Sequence, residues 1–119
     1  MSRPPAPKKE SASTSADVFL QLLRALQKID PEFPIQYAIC LAEIAANEGC
    51  SLTFLSEKTG LALSTISRIT GALSEFRQKG AAYGFVEMRV SKEERRRKEL
   101  YLTPSGQKAL ADILSVLEK

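Results

Sequence analysis

Histidine is absent from this chain of 119 residues, and cysteine occurs only twice, at Cys40 and Cys50. Without histidine there is no Ser-His-Asp or Cys-His arrangement for nucleophilic catalysis. Two cysteines alone fall short of the four ligands typical of a structural zinc centre. Neither G-x-x-x-x-G-K-[ST] nor G-x-G-x-x-G occurs, so no phosphate-cradling loop is signalled. No run of 18 or more apolar residues is present, which excludes an apolar membrane-spanning helix. The polar, proline-dotted N-terminus is not a secretory signal. These absences weigh against an enzyme, a cofactor, a metal and a membrane, and they place the chain in the cytoplasm.

Apolar residues make up 44% of the chain, enough for the core of one domain. The net charge is only +3, but it is unevenly spread. Residues 17–67 hold three basic residues (Arg24, Lys28, Lys58) and six acidic ones, whereas residues 68–98 hold nine basic and four acidic. Such asymmetry points to a polyanionic partner reached by the second stretch.

Residues 1–14 (MSRPPAPKKESAST) have nothing to bury and read as a disordered, mildly basic tail ahead of a single domain over 15–119. Ser15 or Asp17 is placed to cap a helix ending near Ile29, with Phe19, Leu22, Leu23 and Leu26 as its apolar stripe. The Asp30-Pro31-Glu32-Phe33-Pro34 run breaks it. Pro34 suits the first turn of a second helix ending near Asn47-Glu48-Gly49, and Ile35, Ala38, Ile39, Ala42 and Ala45 are expected on its inner face. Thr53 is expected to cap a short helix closed by Gly60. A further helix starts near Ala62, runs to about Arg77, and turns Ile66, Ile69 and Leu73 inward. Two short helices across a glycine-containing turn, over about residues 53–79, are the signature of a helix-turn-helix.

After Gly84 the apolar period changes from 3.6 to 2. Val86, Met88 and Val90, then Leu100 and Leu102, predict a hairpin over about 85–102 around a charged tip. Thr103-Pro104 opens a last helix over about 104–118, with Leu110, Ile113, Leu114 and Leu117 as its stripe. The fold class is therefore mainly α with a small β-hairpin, a winged helix-turn-helix. Residues 76–83 extend the preceding helix or form a loop.

With Ile66, Ile69 and Leu73 inward, Leu63, Ser64, Thr65, Ser67 and Arg68 lie around the exposed first turns of their helix. Short hydroxyls and one guanidinium suit close approach to a duplex. A helix fits the major groove, and Arg68 is the candidate for a bidentate contact to guanine. In the hairpin, Arg89, Lys92, Arg95, Arg96 and Arg97 are the candidates for backbone phosphate or the minor groove. One tip arginine is expected to pair with Glu93 or Glu94.

Residues 52–106 resemble the MarR family of winged-helix regulators. The matching pieces are Leu52-Thr53-x-Leu55, Thr59-Gly60-Leu61, Ser64-Thr65-Ile66-Ser67-Arg68-Ile69, Gly84-Phe85-Val86, Glu94-Arg95-Arg96 and Leu102-Thr103-Pro104-x-Gly106. The resemblance implies that the helix at 62–73 enters the major groove and that Arg95 approaches the minor groove. The chain departs from the family pattern in several places. Ser91 stands where the family carries an aspartate that braces the wing arginine. Ala62 replaces a frequent hydroxyl cap, residues 73–84 are longer than usual, and the C-terminal helical region is shorter.

The expected function is sequence-specific binding of double-stranded DNA by a transcriptional regulator, a repressor, located at the nucleoid. Its partners would be duplex DNA and a second copy of the chain, joined through the stripes of the first and last helices. An accessory protein for plasmid or phage replication or partition, and a winged helix that binds protein, are the alternatives. A small-molecule effector stays open, since no residue pattern singles one out. Cys40 is expected to be buried and inert, and Cys50 to be exposed at a turn.

Overall fold

A proline-broken helix pair, a second helix pair across a tight turn, a hairpin and a final helix follow one another along the chain. The computed structural model describes residues 10–75 and 81–118. The elements are α1 (Glu10–Ile29), α2 (Ile35–Ala46), α3 (Leu52–Thr59), α4 (Leu63–Leu73), β1 (Val86–Val90), β2 (Lys98–Leu102) and α5 (Pro104–Leu114), followed by a 3-10 turn at Ser115–Glu118. This is a winged helix-turn-helix, with the hairpin as the wing.

The first helix starts earlier than capping by Ser15 or Asp17 implies, because residues 10–14 are already helical. No proline or glycine follows Pro7 before the helix is under way, so nothing halts it. The rest of the expected tail, residues 1–9, lies outside the described residues. Along α1, Leu22 and Leu26 are half-buried, while Phe19, Leu20 and Leu23 face outward.

The expected inner face of α2 is corrected. Ile35, Ile39 and Ala42 are exposed, Ala38 is half-buried, and of the expected face Ala45 packs against the core; the buried stripe is Cys40, Leu41 and Ile44, flanked by half-buried Tyr37. Positions 35-38-39-42 and 37-40-41-44 are both helical stripes. Two residues of offset, about 200°, place them on opposite sides of the helix. The bulkier set packs against α4, as both helices share one core with Leu55, Ile66, Ile69 and Leu73.

The capping of α3 also differs. Ser51, not Thr53, accepts the hydrogen bond from the Phe54 amide (3.1 Å), so the helix begins at Leu52. Gly60 closes it in the left-handed region (φ 78°), where a Cβ would be strained. Around this turn the Ser56 hydroxyl donates to the Leu61 carbonyl (2.7 Å), and Thr59 Oγ1 accepts from the Leu61 amide (3.2 Å). α4 ends at Leu73 rather than near Arg77, which lies outside the described residues. Ser74 leaves the helical region (φ −100°, ψ −89°), and its hydroxyl turns back to the Gly71 carbonyl.

The hairpin is antiparallel, with Val86 opposite Leu102, Met88 opposite Leu100 and Val90 opposite Lys98 on one face. Leu100 and Leu102 are buried, as alternation predicts. Cys50 is buried rather than exposed, because it forms a β-bridge to Leu100. The Leu100 amide donates to the Cys50 carbonyl (2.9 Å), and the Gly49 amide donates to the Leu100 carbonyl (2.8 Å). The turn after α2 is thereby joined to the sheet.

Thr103 caps α5, accepting from the Gly106 amide (3.0 Å) with Pro104 in the first turn. The stripe of the last helix splits. Ile113 is buried and Leu110 half-buried, while Leu114 and Leu117 face outward. α5 packs on α1 within the same chain. No helix among the described residues is long and apolar enough to cross a membrane.

Candidate nucleic-acid interface

Apolar anchoring aims the outer face of α4. Ile66, Ile69 and Leu73 are fully buried, so the helix cannot roll without exposing them. That orientation leaves Leu63, Ser64, Ser67 and Arg68 exposed and Thr65 half-buried. The hydroxyls of Ser64, Thr65 and Ser67 have no hydrogen-bond partner among the described residues. Arg68 forms no ion pair there either. These groups are therefore available to an external acceptor or donor.

The wing tip is closed by its own backbone. The Ser91 amide donates to the Arg97 carbonyl (2.8 Å), and the Arg97 amide donates to the Glu94 carbonyl (2.9 Å). Ser91 is buried, and its hydroxyl oxygen accepts from the amides of Glu93 and Glu94 (3.2 Å each). The expected pairing of Glu93 or Glu94 with a tip arginine is not found among the described residues, where these internal bonds hold the loop without side-chain charge. Lys92, Arg95, Arg96, Arg97 and Lys98 are all exposed without an ion-pair partner among the described residues.

The tip and the start of α4 meet. A groove of about 650 Å³ is bounded by Leu63 of α4, by Ser51, Leu52, Thr53, Phe54 and Glu57 of α3 and its cap, and by Glu94, Arg96, Arg97 and Lys98 of the wing. Three of the expected site residues (Leu63, Arg96 and Arg97) thus border one groove. Ser64, Ser67 and Arg68 continue along the same outer face of α4. Lys92 and Arg95 are exposed on the tip and are not part of this lining. Lys98 and the start of α3 border the groove as well. Lys98 ends the basic run Arg95-Arg96-Arg97-Lys98, whereas no local pattern places α3 opposite it.

Arg89 stands apart. Its guanidinium bonds to the Glu87 carboxylate and lies over the Tyr101 ring, 4.0 Å from the centroid. The pairing with Glu87 raises its already high pKa. Tyr101 in turn donates to Glu99 (3.0 Å), which pushes the phenol pKa up by stabilising its neutral form. This Glu87–Arg89–Glu99–Tyr101 set covers the outer face of the hairpin.

Both thiols are poor nucleophiles. Burial, with a smaller push from the Glu43 charge, raises Cys40 from its ordinary 9.0 to about 11. Burial likewise raises Cys50. Among the described residues no group of three or more His, Cys, Asp or Glu side chains is arranged to hold a metal.

No family model matches the chain, and no curated protein matches it in sequence. Solved structures do match in three dimensions. A crystal structure of MarR superposes with a TM-score of 0.63 at 22% identity, over 92% of this chain and 77% of that one. The S. aureus MepR–DNA complex gives 0.71 at 17% identity, over 90% and 81%. The transcriptional repressor CouR, bound to a 23-mer DNA duplex, gives 0.65 at 20% identity, over 97% and 81%. The likeness extends through α1, α2 and α5, well beyond the segment that carries the motifs. This chain therefore shares the winged helix-turn-helix fold of these structures.

Proposed function

We propose that this chain binds double-stranded DNA as a transcriptional regulator, and that it acts as a repressor by occupying its operator. α4 enters the major groove, where Leu63, Ser64, Thr65, Ser67 and Arg68 face base edges and phosphate. Lys92, Arg95, Arg96 and Arg97 of the tip follow the backbone into the adjacent minor groove. Arg89 serves chiefly to stiffen the hairpin, with its exposed edge within reach of phosphate.

One observation carries this reading. The start of α4 and the arginines of the tip border a single groove, and Arg96, Arg97 and Lys98 have no ion-pair partner among the described residues. Unneutralised guanidinium groups on one concave surface suit a polyanion. MepR and CouR, which share the fold, have been solved on DNA. The reading is of a binding protein rather than an enzyme, working where DNA is, at the nucleoid.

The protein acts as a homodimer. α1 leaves Phe19, Leu20 and Leu23 outward, and the C-terminal end leaves Leu114 and Leu117 outward. Two copies joined on these residues cover them and present two α4 helices to a palindromic site.

Selection of bound duplexes from a random pool tests the reading, with mass measured by size-exclusion light scattering. A palindromic consensus and a dimer mass are expected. Arg68→Ala relaxes specificity at one position by ~1–3 kcal/mol, while Arg95→Ala or Arg96→Ala weakens all sequences and lowers the salt slope by about 1. Failure to retain any duplex at low salt would sink the reading in favour of a protein-binding winged helix.

A further inference from the structure

Residues 83–85 meet four parts of the molecule at once. The Tyr83 and Phe85 amides donate to the Ala72 and Leu73 carbonyls (3.0 and 2.7 Å). These are among the last carbonyls of α4, which have no donor within their own helix. The Gly84 carbonyl accepts from the Thr103 hydroxyl (2.7 Å), and the Phe85 carbonyl accepts from the Thr103 amide (2.9 Å). Gly106 in α5 lies so close that a Cβ there would sit 2.0 Å from the Phe85 carbonyl oxygen. The Tyr83 ring, finally, packs edge-on to Phe33 and Tyr37 (centroids 5.0 and 6.2 Å), and its hydroxyl donates to Asp30 Oδ2 (2.6 Å). Asp30 and Phe33 form the corner between α1 and α2.

These bonds add to what the apolar anchor of α4 does. Burial of Ile66, Ile69 and Leu73 is non-directional, so it sets the depth and roll of the helix. The crossing angle starts from how these side chains interdigitate, and directional bonds at the two ends then hold it: Ala62 supplies no side-chain cap, but the Leu61 bonds to Ser56 and Thr59 fix the turn before it. At the C-terminal end the hold is made by a segment that is itself bonded to the α1–α2 corner.

We propose that Tyr83 is a positioning residue for DNA binding, in that its hydroxyl on Asp30 sets the tilt at which α4 is presented relative to α1 and α2. This rests on the reading of α4 as the helix that enters the duplex. Tyr83 adds a directional link to the direct packing of α2 on α4, and a shift at the α1–α2 corner reaches the DNA-binding face through it.

Tyr83→Phe keeps the ring and removes only the hydroxyl. Duplex affinity is measured at a temperature where wild type and variant are both fully folded, so that a change in stability alone leaves it unmoved. The expected result is a loss of at least about fivefold, with faster hydrogen exchange at the amides of residues 83 and 85. A wild-type protein that binds duplex and a Tyr83→Phe variant that binds it equally well overturn the proposal. If the wild type binds no duplex, the reading of α4 is what fails. The exchange rates then decide the role of Tyr83 alone, acceleration supporting it and equality overturning it.

Discussion

The two basic surfaces of this protein are held in opposite ways. α4 is fixed from beneath by three fully buried aliphatic residues, and its outward residues are small hydroxyls and one arginine. The wing tip has one buried residue, Ser91, and everything from Lys92 to Lys98 is exposed. A rigidly aimed face suits recognition of base edges, which tolerate little misplacement. A lightly tethered run of cations suits phosphate, which is present at every step of a duplex. Specificity is thus expected to live on α4 and salt dependence on the tip.

The comparison breaks most visibly at its anchor. Ile69→Ala leaves a cavity beneath α4 and is expected to lower stability by ~2–5 kcal/mol in urea unfolding. A loss below 1 kcal/mol would mean that α4 is not held from the core. Gly106→Ala tests the joint between α5 and residues 83–85. A methyl group 2.0 Å from a backbone oxygen forces a shift, so a loss of about 3 kcal/mol is expected, read as a fall in Tm. Retention of the wild-type Tm would show that the approach of helix and carbonyl is looser than described. At the tip the scale drops. Ser91→Ala removes the acceptor for two amides and is expected to cost ~1 kcal/mol, with faster exchange at Glu93 and Glu94 while α4 keeps its protection. Spread of the change into α4 would erase the distinction between the two surfaces. Smallest of all, Glu94→Gln removes an exposed anion from the groove. It should leave stability within about 0.5 kcal/mol and tighten duplex binding about twofold to fivefold at low salt. Weaker binding would instead make Glu94 a brace for the arginines.

Much of this arrangement is legible from residues alone, and the failures share a cause. The outward face of α4 follows from Ile66, Ile69 and Leu73, because the opposite side carries only small polar residues and Arg68. In α2 the same reasoning fails. Ile35 and Ile39 make as good a stripe as Leu41 and Ile44, and only the position of α4 decides between them. Thr103-Pro104 announces the start of α5 through local chemistry. Ser51 and Thr53 compete on equal local terms, and the wrong one is easily chosen. Cys50 is buried by a partner 50 positions away, which no local pattern encodes. The tip charges suggest ion pairs from composition, whereas backbone bonds to Ser91 make such pairs unnecessary. The groove shared by Leu63, Arg96 and Arg97 depends on how the wing folds back over α3, a long-range relation of the same kind as the bridge at Cys50.

That bridge has a kinetic consequence. Leu100 exchanges hydrogen bonds with the turn at Gly49 and Cys50, so the last strand of the wing closes on a residue laid down before either helix of the helix-turn-helix. Closure of so long a loop is entropically costly until the intervening helices have condensed. The wing and the helix pair are therefore expected to form and to melt in a single cooperative step. A protein with ordered helices and a dangling ribbon should not accumulate along the way.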